Sequence, residues 1–268
     1  MEYDPIKNKL GAFFNMSPMF RKLFYNLLDL LLLRTWHVHK DLRRWMKEYP
    51  NGADILDAGC GFGQYSYYLA KKNKNYKIMA VDVKEDYLAD CREFFGKVGL
   101  NNVTFKVEDL VQYRNPSAYD LIISVDVMEH ILEDVTVFEN FYASLKPGGM
   151  LIINTPSDQG GSDVKGEGEE SFIGEHVRDG YNKEDITAKL QSAGFSKIKP
   201  RYAYGAPGKI SWKLSMKYPM LMLNTSMAFI IILPFYYIIA YPISFVLNYL
   251  DVSGDHKTGT GLTVNAWK

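Results

Sequence analysis

Residues 55–63 read Ile-Leu-Asp-Ala-Gly-Cys-Gly-Phe-Gly, and this stretch decides the fold class. A short apolar segment, typical of a strand, leads into three glycines at alternate positions, and a helical pattern begins directly after them. Glycines between a strand and a helix permit a tight turn and let a ligand lie against bare backbone. The stretch therefore predicts the first strand, a ligand-binding loop and the first helix of an α/β domain.

The alternation of short apolar runs with amphipathic patterns continues along the chain. Further strands are predicted at residues 77–81, 103–107, 119–125, 150–154 and about 195–204, and helices at about 64–72, 85–98, 131–145 and 182–193. The alternating pattern of residues 259–268 fits a final strand. Repeated strand–helix alternation implies a parallel sheet with helices on both faces.

Acidic residues at the strand ends narrow the choice of ligand. The glycine spacing is Gly-x-Gly-x-Gly, and Asp57 precedes it at a position where an acid would repel a pyrophosphate but could receive an ammonium. Asp82, at the end of the second strand, is placed to accept hydrogen bonds from ribose hydroxyls. Asp109, after the third strand, either contacts an adenine amino group or caps a following helix. These features favour S-adenosylmethionine over a dinucleotide.

Together with residues 124–131 (Ser-Val-Asp-Val-Met-Glu-His-Ile) and 145–149 (Leu-Lys-Pro-Gly-Gly), these motifs resemble class I S-adenosylmethionine-dependent methyltransferases. The resemblance covers about residues 50–206 and the last strand, and is greatest to the small-molecule branch that includes the ubiquinone-biosynthesis O-methyltransferases. It implies an α/β fold with a Rossmann-like seven-stranded sheet and S-adenosylmethionine as cofactor. The residues expected to bind this cofactor are Asp57, Gly59, Cys60, Gly61, Gly63, Gln64, Asp82, Val83, Glu108, Asp109, Leu110 and Val125.

Two histidines are candidates for the base that removes a proton from the acceptor. His130 follows the fourth strand, close to the expected cofactor, and histidine suits proton transfer near neutral pH. The alternative is that His130 only supports the local backbone. His176 ends a glycine-rich acidic loop, residues 157–181, which is interpreted as a lid or as a solvated surface. An alternative role for Asp126, Glu129 and His130 is ligation of a divalent metal, but no metal is predicted.

Composition excludes some classes of protein. The chain of 268 residues carries 31 basic and 31 acidic side chains, so no global charge favours nucleic acid. Cys60 and Cys91 lack metal-ligand spacing, and two cysteines in a chain of this length are typical of reduced, cytosolic proteins. The predicted organisation is a core at 51–206 with a final strand at 259–268. Residues 1–50 form N-terminal amphipathic helices, and residues 207–258 form an apolar helical insertion.

The apolar segments predict contact with a membrane. Residues 227–247 carry no charge and are long enough to span a bilayer. A single crossing would separate residues 259–268 from the sheet, and the prolines at 219, 234 and 242 should break a straight helix. We therefore expect a kinked hairpin or in-plane helices. Residues 19–33 resemble an interfacial amphipathic helix with basic flanks that attract anionic lipid. The alternative is a soluble cap over the acceptor pocket.

The resulting hypothesis is a methyltransferase at the cytoplasmic face of a membrane, peripheral or monotopic. Its acceptor would be a small amphiphilic or lipid-like molecule, methylated on oxygen in a quinone or phenol, and no nucleic acid would bind. One alternative is N-methylation of a lipid head group. Another is a catalytically silent, membrane-bound protein that only binds S-adenosylmethionine, and a nicotinamide oxidoreductase ranks below both.

Overall fold

The computed structural model describes residues 17–160 and 177–268. Its helices are α1 (Pro18–Leu31), α2 (Leu33–Glu48), α3 (Gln64–Lys72), α4 (Glu85–Lys97), α5 (Asp134–Ser144), α6 (Lys183–Ser192), α7 (Ala206–Trp212), α8 (Tyr218–Thr225) and α9 (Leu233–Ser253). Its strands are β1 (Ala53–Ala58), β2 (Tyr76–Asp82), β3 (Val103–Val107), β4 (Tyr119–Val125), β5 (Leu145–Pro156), β6 (Lys197–Ala203) and β7 (Gly261–Trp267). Short 3-10 turns cover Met128–His130 and Met227–Ile231, and a π-helical turn, Lys213–Lys217, joins α7 to α8.

The strands of the described residues form one seven-stranded sheet in the order β3-β2-β1-β4-β5-β7-β6. Strands β1 to β5 run parallel, and β7 is antiparallel to both of its neighbours. The predicted seven-stranded Rossmann-like sheet, completed by the C-terminal strand, is confirmed. Because the strand order reverses between β1 and β4, the carboxyl ends of these two strands border the crevice where open α/β sheets bind ligands.

The central strand β4 is buried on both faces. Leu121, Ile122 and Ile123 are fully buried. Ile122 packs in the core that contains Phe138 of α5, whereas Leu121 and Ile123 pack in the core that contains Leu42 of α2. Successive side chains of a strand point to opposite faces, so a strand with helices on both sides is apolar throughout. This burial explains the nearly continuous apolar run that predicted β4.

Two predicted element boundaries were wrong. Strand β5 begins at Leu145 rather than at Met150, because Leu145 pairs with Tyr119 before the ladder shifts register. The helix after β4 begins at Asp134, so His130 lies in a separate 3-10 turn and does not start that helix.

The prolines act differently from the prediction. Pro219 and Pro234 lie in the first turns of α8 and α9, where a missing backbone N–H has no helical partner to lose. Pro242 lies inside α9, yet the helix continues from Leu233 to Ser253. The prediction that Pro242 breaks the helix was therefore wrong. Pro242 cannot donate a backbone hydrogen bond within the helix, and the packing of this long helix on α7 and α2 offsets that loss.

A buried carboxylate connects the apolar helix to the rest of the domain. Asp251 of α9 is fully buried, and its Oδ1 atom lies 2.8 Å from Nε2 of His37 in α2. Its two oxygens also accept the backbone N–H groups of Tyr204, at 3.1 Å, and Gly208, at 3.0 Å. Asp251 therefore fixes α9 against α2, α7 and the end of β6.

Candidate cofactor and acceptor site

Two glycines of the β1–α3 loop serve different needs. Gly59 has a φ of +76°, and a Cβ atom added there would lie 2.4 Å from Cγ2 of Val127. Close packing against the exit of β4 therefore requires glycine at this position. Gly61 has a φ of +49°, but a Cβ atom added there would have no protein atom within 4 Å. Gly61 thus presents bare backbone to open space, as the sequence predicted for a residue that a ligand covers.

Asp82, at the end of β2, connects the glycine loop to the neighbouring strand exit. Its Oδ2 atom accepts the backbone N–H of Gly61 at 2.8 Å, and its Oδ1 atom accepts the backbone N–H of Lys84 at 3.0 Å. Val83, between them, is 63% exposed. The structure therefore brings Asp82, Val83 and Gly61 together at the carboxyl edge of the sheet.

Asp57, at the end of β1, is a buried acid without a cationic partner among the described residues. Its Oδ2 atom accepts a hydrogen bond from Oγ of Ser66 at 2.6 Å. Burial raises the pKa of Asp57 to about 6, because the charged form loses its water. A buried carboxylate of this kind is stabilised by an incoming cation, such as the ammonium group of an amino acid.

The exit of β3 contains the predicted adenine-binding residues. The backbone N–H of Glu108 donates to the carbonyl oxygen of Asp82 at 3.2 Å, so the exits of β2 and β3 are adjacent. Oδ1 of Asp109 accepts the backbone N–H of Val111 at 2.9 Å and closes a turn. No regular helix starts there in the described structure, so Asp109 caps a turn and not a helix. Leu110 is buried in the adjoining core.

Two predicted cofactor residues direct their side chains into the protein. Nε2 of Gln64 donates to Oδ1 of Asp29 at 2.7 Å and to Oγ1 of Thr35 at 3.3 Å. Sγ of Cys60 lies 3.9 Å from the carbonyl oxygen of Gly61. Burial raises the pKa of Cys60 far above its ordinary value, so this thiol stays neutral. For both residues a role in cofactor binding stays a prediction.

The exit of β4, which begins after Val125, holds the predicted catalytic region. Asp126 has a φ of +52° and forms an ion pair with Arg34 of α2. Glu129 is 1% exposed, and its Oε2 atom accepts a hydrogen bond from Oγ1 of Thr155 at 3.0 Å. Burial raises the pKa of Glu129. His130 is half-buried at the end of the 3-10 turn.

The acids of this exit face different partners, Asp126 towards Arg34 and Glu129 towards Thr155. Within residues 17–160 and 177–268, no group of three side chains of the metal-binding types is placed to hold a metal ion.

His176, the second candidate base, lies outside the described residues. The chain that follows it returns to the exit of β4. The backbone N–H of Val177 donates to the carbonyl oxygen of Glu129 at 3.1 Å, and the hydroxyl of Tyr181 donates to Oδ2 of Asp134 at 2.7 Å. The segment after His176 is thus attached to the turn that contains His130.

Residues 50–197 match a family model described as a methyltransferase domain, which is more than half of the chain. The chain belongs to this methyltransferase family. The resemblance found in the glycine, ribose and strand-exit motifs is thereby confirmed. S-adenosylmethionine is the cofactor of this methyltransferase.

Curated relatives share the central part of the methyltransferase. Phosphoethanolamine N-methyltransferase 3 of Arabidopsis thaliana is 28% identical over 165 residues, which are 57% of this chain and 31% of the relative. Malonyl-[acyl-carrier protein] O-methyltransferase 2 of Ilyobacter polytropus is 29% identical over 119 residues, which are 44% of this chain and 45% of the relative. The chain spans less than half of the length of each of these two proteins.

The fold also matches solved structures. Phosphoethanolamine N-methyltransferase 2 of Haemonchus contortus, in complex with phosphomonomethylethanolamine and S-adenosylhomocysteine, superposes with a TM-score of 0.62. The match covers 91% of this chain and 60% of that one, at 19% sequence identity. At this identity the likeness shows a common fold, which extends over the helices outside the family region.

The residues of the methyltransferase fit its cofactor. Asp57 offers a buried carboxylate to the ammonium group of the methionine part. Asp82 offers carboxylate oxygens for ribose hydroxyls, and Gly61 leaves open space beside bare backbone. The three features meet at the carboxyl ends of β1 and β2, where the sheet topology places the ligand crevice.

Arg34 is a candidate site residue that no sequence pattern indicates. Its guanidinium pairs with Asp126 at the exit of β4, and its backbone N–H donates to the hydroxyl of Tyr204 at 2.9 Å. Arg34 lies in α2, before the methyltransferase family region, so no family motif includes it. In the sequence it is one of several basic residues, and only the fold brings it to the expected acceptor side of the cofactor.

Proposed function

We propose that this methyltransferase transfers a methyl group to an oxygen atom of an amphiphilic, lipid-like acceptor, a quinone precursor or a phenolic lipid. We place the reaction at the cytoplasmic face of a membrane, with the protein bound to one side of the bilayer. The proposal rests above all on the reversed burial of α9. Its further support comes from the sheet topology, the position of α2 and the charge of α7.

Helix α9 buries its polar side and exposes its apolar side. Its buried residues are Ala240, Ser244, Asn248 and Asp251. Its large exposed residues are Phe235, Ile238, Ile239, Ile243, Phe245, Val246, Tyr249 and Leu250. A surface helix in water shows the opposite arrangement, whereas polar residues of helices in lipid face the protein interior. The outer face of α9 is therefore suited to lipid.

By length and composition, α9 is apolar enough to cross a membrane, the one such helix among the described residues. The sheet supports a different arrangement. Ala203, at the end of β6, pairs with Gly261, at the start of β7, so the segment between them leaves and rejoins the sheet at one place. A single crossing by α9 would separate β7 from β6. An in-plane or shallow position satisfies both the apolar surface and the sheet.

Helix α2 lies between the apolar surface and the exit of β4. The ring of Trp36 packs edge-on against Phe245 of α9, with centroids 5.1 Å apart, and its Nε1 atom donates to the carbonyl oxygen of Leu30 at 3.2 Å. Two residues earlier, Arg34 pairs with Asp126. An acceptor that leaves the bilayer beside Trp36 therefore has a short route to the crevice.

Basic side chains accompany the apolar ones. Lys209 and Lys213 are exposed, and Lys217 follows in the same stretch, which contains no acidic residue. Each Lys or Arg near an anionic bilayer contributes about 1 kcal/mol of binding free energy, and salt screens this attraction. The exposed Ile230, Ile231 and Ile232 add an apolar contribution that salt does not screen.

The protein's part in the chemistry is to position the acceptor and to move one proton. The bound cofactor supplies an electrophilic methyl group. His130 accepts the proton of the acceptor hydroxyl, and the backbone interactions of its 3-10 turn fix its position at the exit of β4. Positioning of the acceptor in line with the methyl group supplies the rest of the acceleration.

N-methylation of a lipid head group is the second candidate. The observation that favours it is the half-exposed carboxylate of Asp126, which could receive a cationic amine in exchange for Arg34. The phosphoethanolamine N-methyltransferases among the similar proteins agree with this alternative. A catalytically silent protein that only binds the cofactor is the third, and it predicts binding without turnover.

The test is incubation of the purified protein with liposomes of a total lipid extract and methyl-deuterated S-adenosylmethionine. Mass spectrometry of the products should reveal a lipid that gains a labelled methyl group on oxygen. Label on nitrogen would select the second candidate. Label only in water-soluble products would refute the lipid acceptor, and cofactor binding without any labelled product would select the silent protein.

A further inference from the structure

We propose that helix α1, which precedes the methyltransferase family region, contributes to cofactor binding. Arg21 and Tyr25 are positioning residues that hold the carbonyl oxygen of Phe62 and thereby fix the glycine loop. The proposal concerns cofactor affinity and is independent of the acceptor and of the membrane.

The contact is direct and buried. Nη2 of Arg21 donates to the carbonyl oxygen of Phe62 at 3.1 Å, and the hydroxyl of Tyr25 donates to the same oxygen. Nε of Arg21 donates to the hydroxyl oxygen of Tyr25 at 3.0 Å, so the two side chains act together. Arg21 is 3% exposed and Tyr25 is 1% exposed. Water therefore does not replace either donor.

The peptide unit that they hold precedes a glycine, which leaves it free to rotate. The carbonyl of Phe62 belongs to the peptide before Gly63, whose φ is +74°. Glycine adopts either sign of φ at low cost, so this peptide can rotate unless both of its polar groups are bound. The backbone N–H of Gly63 donates to the carbonyl oxygen of Cys60 at 2.8 Å. Arg21 and Tyr25 bind the other end.

The orientation of this peptide determines the shape of the crevice. It lies one residue after Gly61, the residue with open space in front of its backbone. With the Phe62 carbonyl held towards α1, the oxygen is kept out of that space. Rotation of the peptide would change the backbone on which the cofactor lies, so the hold by α1 contributes to cofactor affinity.

The chemistry of Arg21 argues against a role in packing alone. A buried guanidinium loses its hydration, and an apolar side chain of similar volume would fill the same space without that cost. Arg21 instead directs its donors to polar atoms of the loop and of α4. Besides Phe62, these are the carbonyl oxygen of Asp90, at 3.2 Å, and Sγ of Cys91, at 3.2 Å. Burial also raises the pKa of Tyr25, which keeps its hydroxyl protonated as a donor.

Tyr25→Phe tests the proposal, because it removes one hydroxyl and keeps the ring contacts with Tyr67 and Phe94. Tyr76→Phe is the matched control. Tyr76 is also 1% exposed and donates to a carbonyl oxygen, that of Tyr49 at 3.1 Å, but it lies at the start of β2, away from the carboxyl edge. Tyr76→Phe loses one buried hydrogen bond, whereas Tyr25→Phe also loses the bond that its hydroxyl accepts from Arg21, so Tyr25→Phe should lose more thermal stability.

Calorimetry with S-adenosylhomocysteine should show a Kd about three- to tenfold higher for Tyr25→Phe, as the loss of one such bond implies, and an unchanged Kd for Tyr76→Phe. Amide hydrogen exchange of the peptide that covers residues 59–64 should be faster in Tyr25→Phe alone. In a turnover assay, the KM for S-adenosylmethionine should rise while kcat stays the same.

A second variant, Arg21→Lys, keeps the positive charge but loses the forked donors of the guanidinium. It should also raise the Kd of S-adenosylhomocysteine. Arg21→Lys replaces Tyr25→Phe as the test if Tyr25→Phe does not fold. An unchanged Kd in either folded variant, or an equal loss in Tyr76→Phe, would overturn the proposal. These measurements use no lipid, so failure of the lipid acceptor would leave them unaffected.

Discussion

The Gly61→Ala variant is expected to fold but to bind S-adenosylhomocysteine poorly. The left-handed backbone at Gly61, with its φ of +49°, costs an alanine about 1–2 kcal/mol of stability. The new Cβ atom meets no protein atom within 4 Å, so no clash adds to this loss. In the complex, the methyl group occupies space that the cofactor needs. Overpacking of this kind costs about 1–3 kcal/mol, which raises the Kd about 5- to 150-fold.

Gly99→Ala is the matched control for the strain. Gly99 has a φ of +72° and also has no protein atom within 4 Å of an added Cβ, but it lies in the turn after α4. Both variants should lose about 1–2 kcal/mol in chemical denaturation, and calorimetry should find weaker binding only for Gly61→Ala. Wild-type affinity in a folded Gly61→Ala protein, or equal losses of affinity in both variants, would refute the assignment of the cofactor to this loop.

Three further outcomes are expected. His130→Ala should lower turnover by about 10²–10⁴ with little change in the Kd of S-adenosylhomocysteine, and a loss below tenfold would exclude His130 as the base. The folded-state pKa of Asp57, about 6, is higher than its ordinary 3.8, so wild-type stability falls as pH rises through this window. Denaturant titrations should show that the free energy of unfolding of Asp57→Asn does not fall in this way. Relative to wild type, it should rise by about 3 kcal/mol between pH 3.8 and 7.5. Parallel pH curves of the two proteins would contradict this expectation. Replacing the lysines of residues 209–217 with Glu should weaken flotation with anionic liposomes, more at low salt than at high salt, whereas replacing residues 230–232 with Ser should weaken it at every salt concentration. Absence of the wild-type protein from the floating fraction would refute the membrane proposal.

The sheet could be predicted from the sequence because its determinants are local. The run from Tyr119 to Val125 is apolar since both faces of β4 are covered, and the alternation at the C-terminus marks a strand at one flank of the core. The start of β5 could not be predicted in this way. Its first residue, Leu145, is in the strand only because it pairs with Tyr119. This pairing cannot be predicted from the sequence of either segment alone.

The expected cofactor residues could be named from the sequence for a similar reason, since the glycines and Asp82 follow strand ends at characteristic spacings. Arg21, Tyr25 and Arg34 could not. Each contacts a partner far away in the chain, Phe62 for the first two and Asp126 for the third, through helices that precede the family region. In the sequence, Arg21 and Arg34 are indistinguishable from the solvated charges beside them. Their burial or pairing exists only after the fold forms.

The pairing of β6 with β7 has a consequence for how the protein is made. Residues 204–260 separate the two strands, so the apolar helix α9 leaves the ribosome before β7 does. Until β7 arrives, β6 has no neighbour, because it lies at the end of the sheet and pairs only with β7. An unfinished domain that exposes both an unpaired strand and an apolar helix is prone to aggregate. Under the proposed membrane location, early adsorption of α9 to a bilayer during translation would protect this intermediate, and the bilayer would then assist folding as well as hold the finished protein.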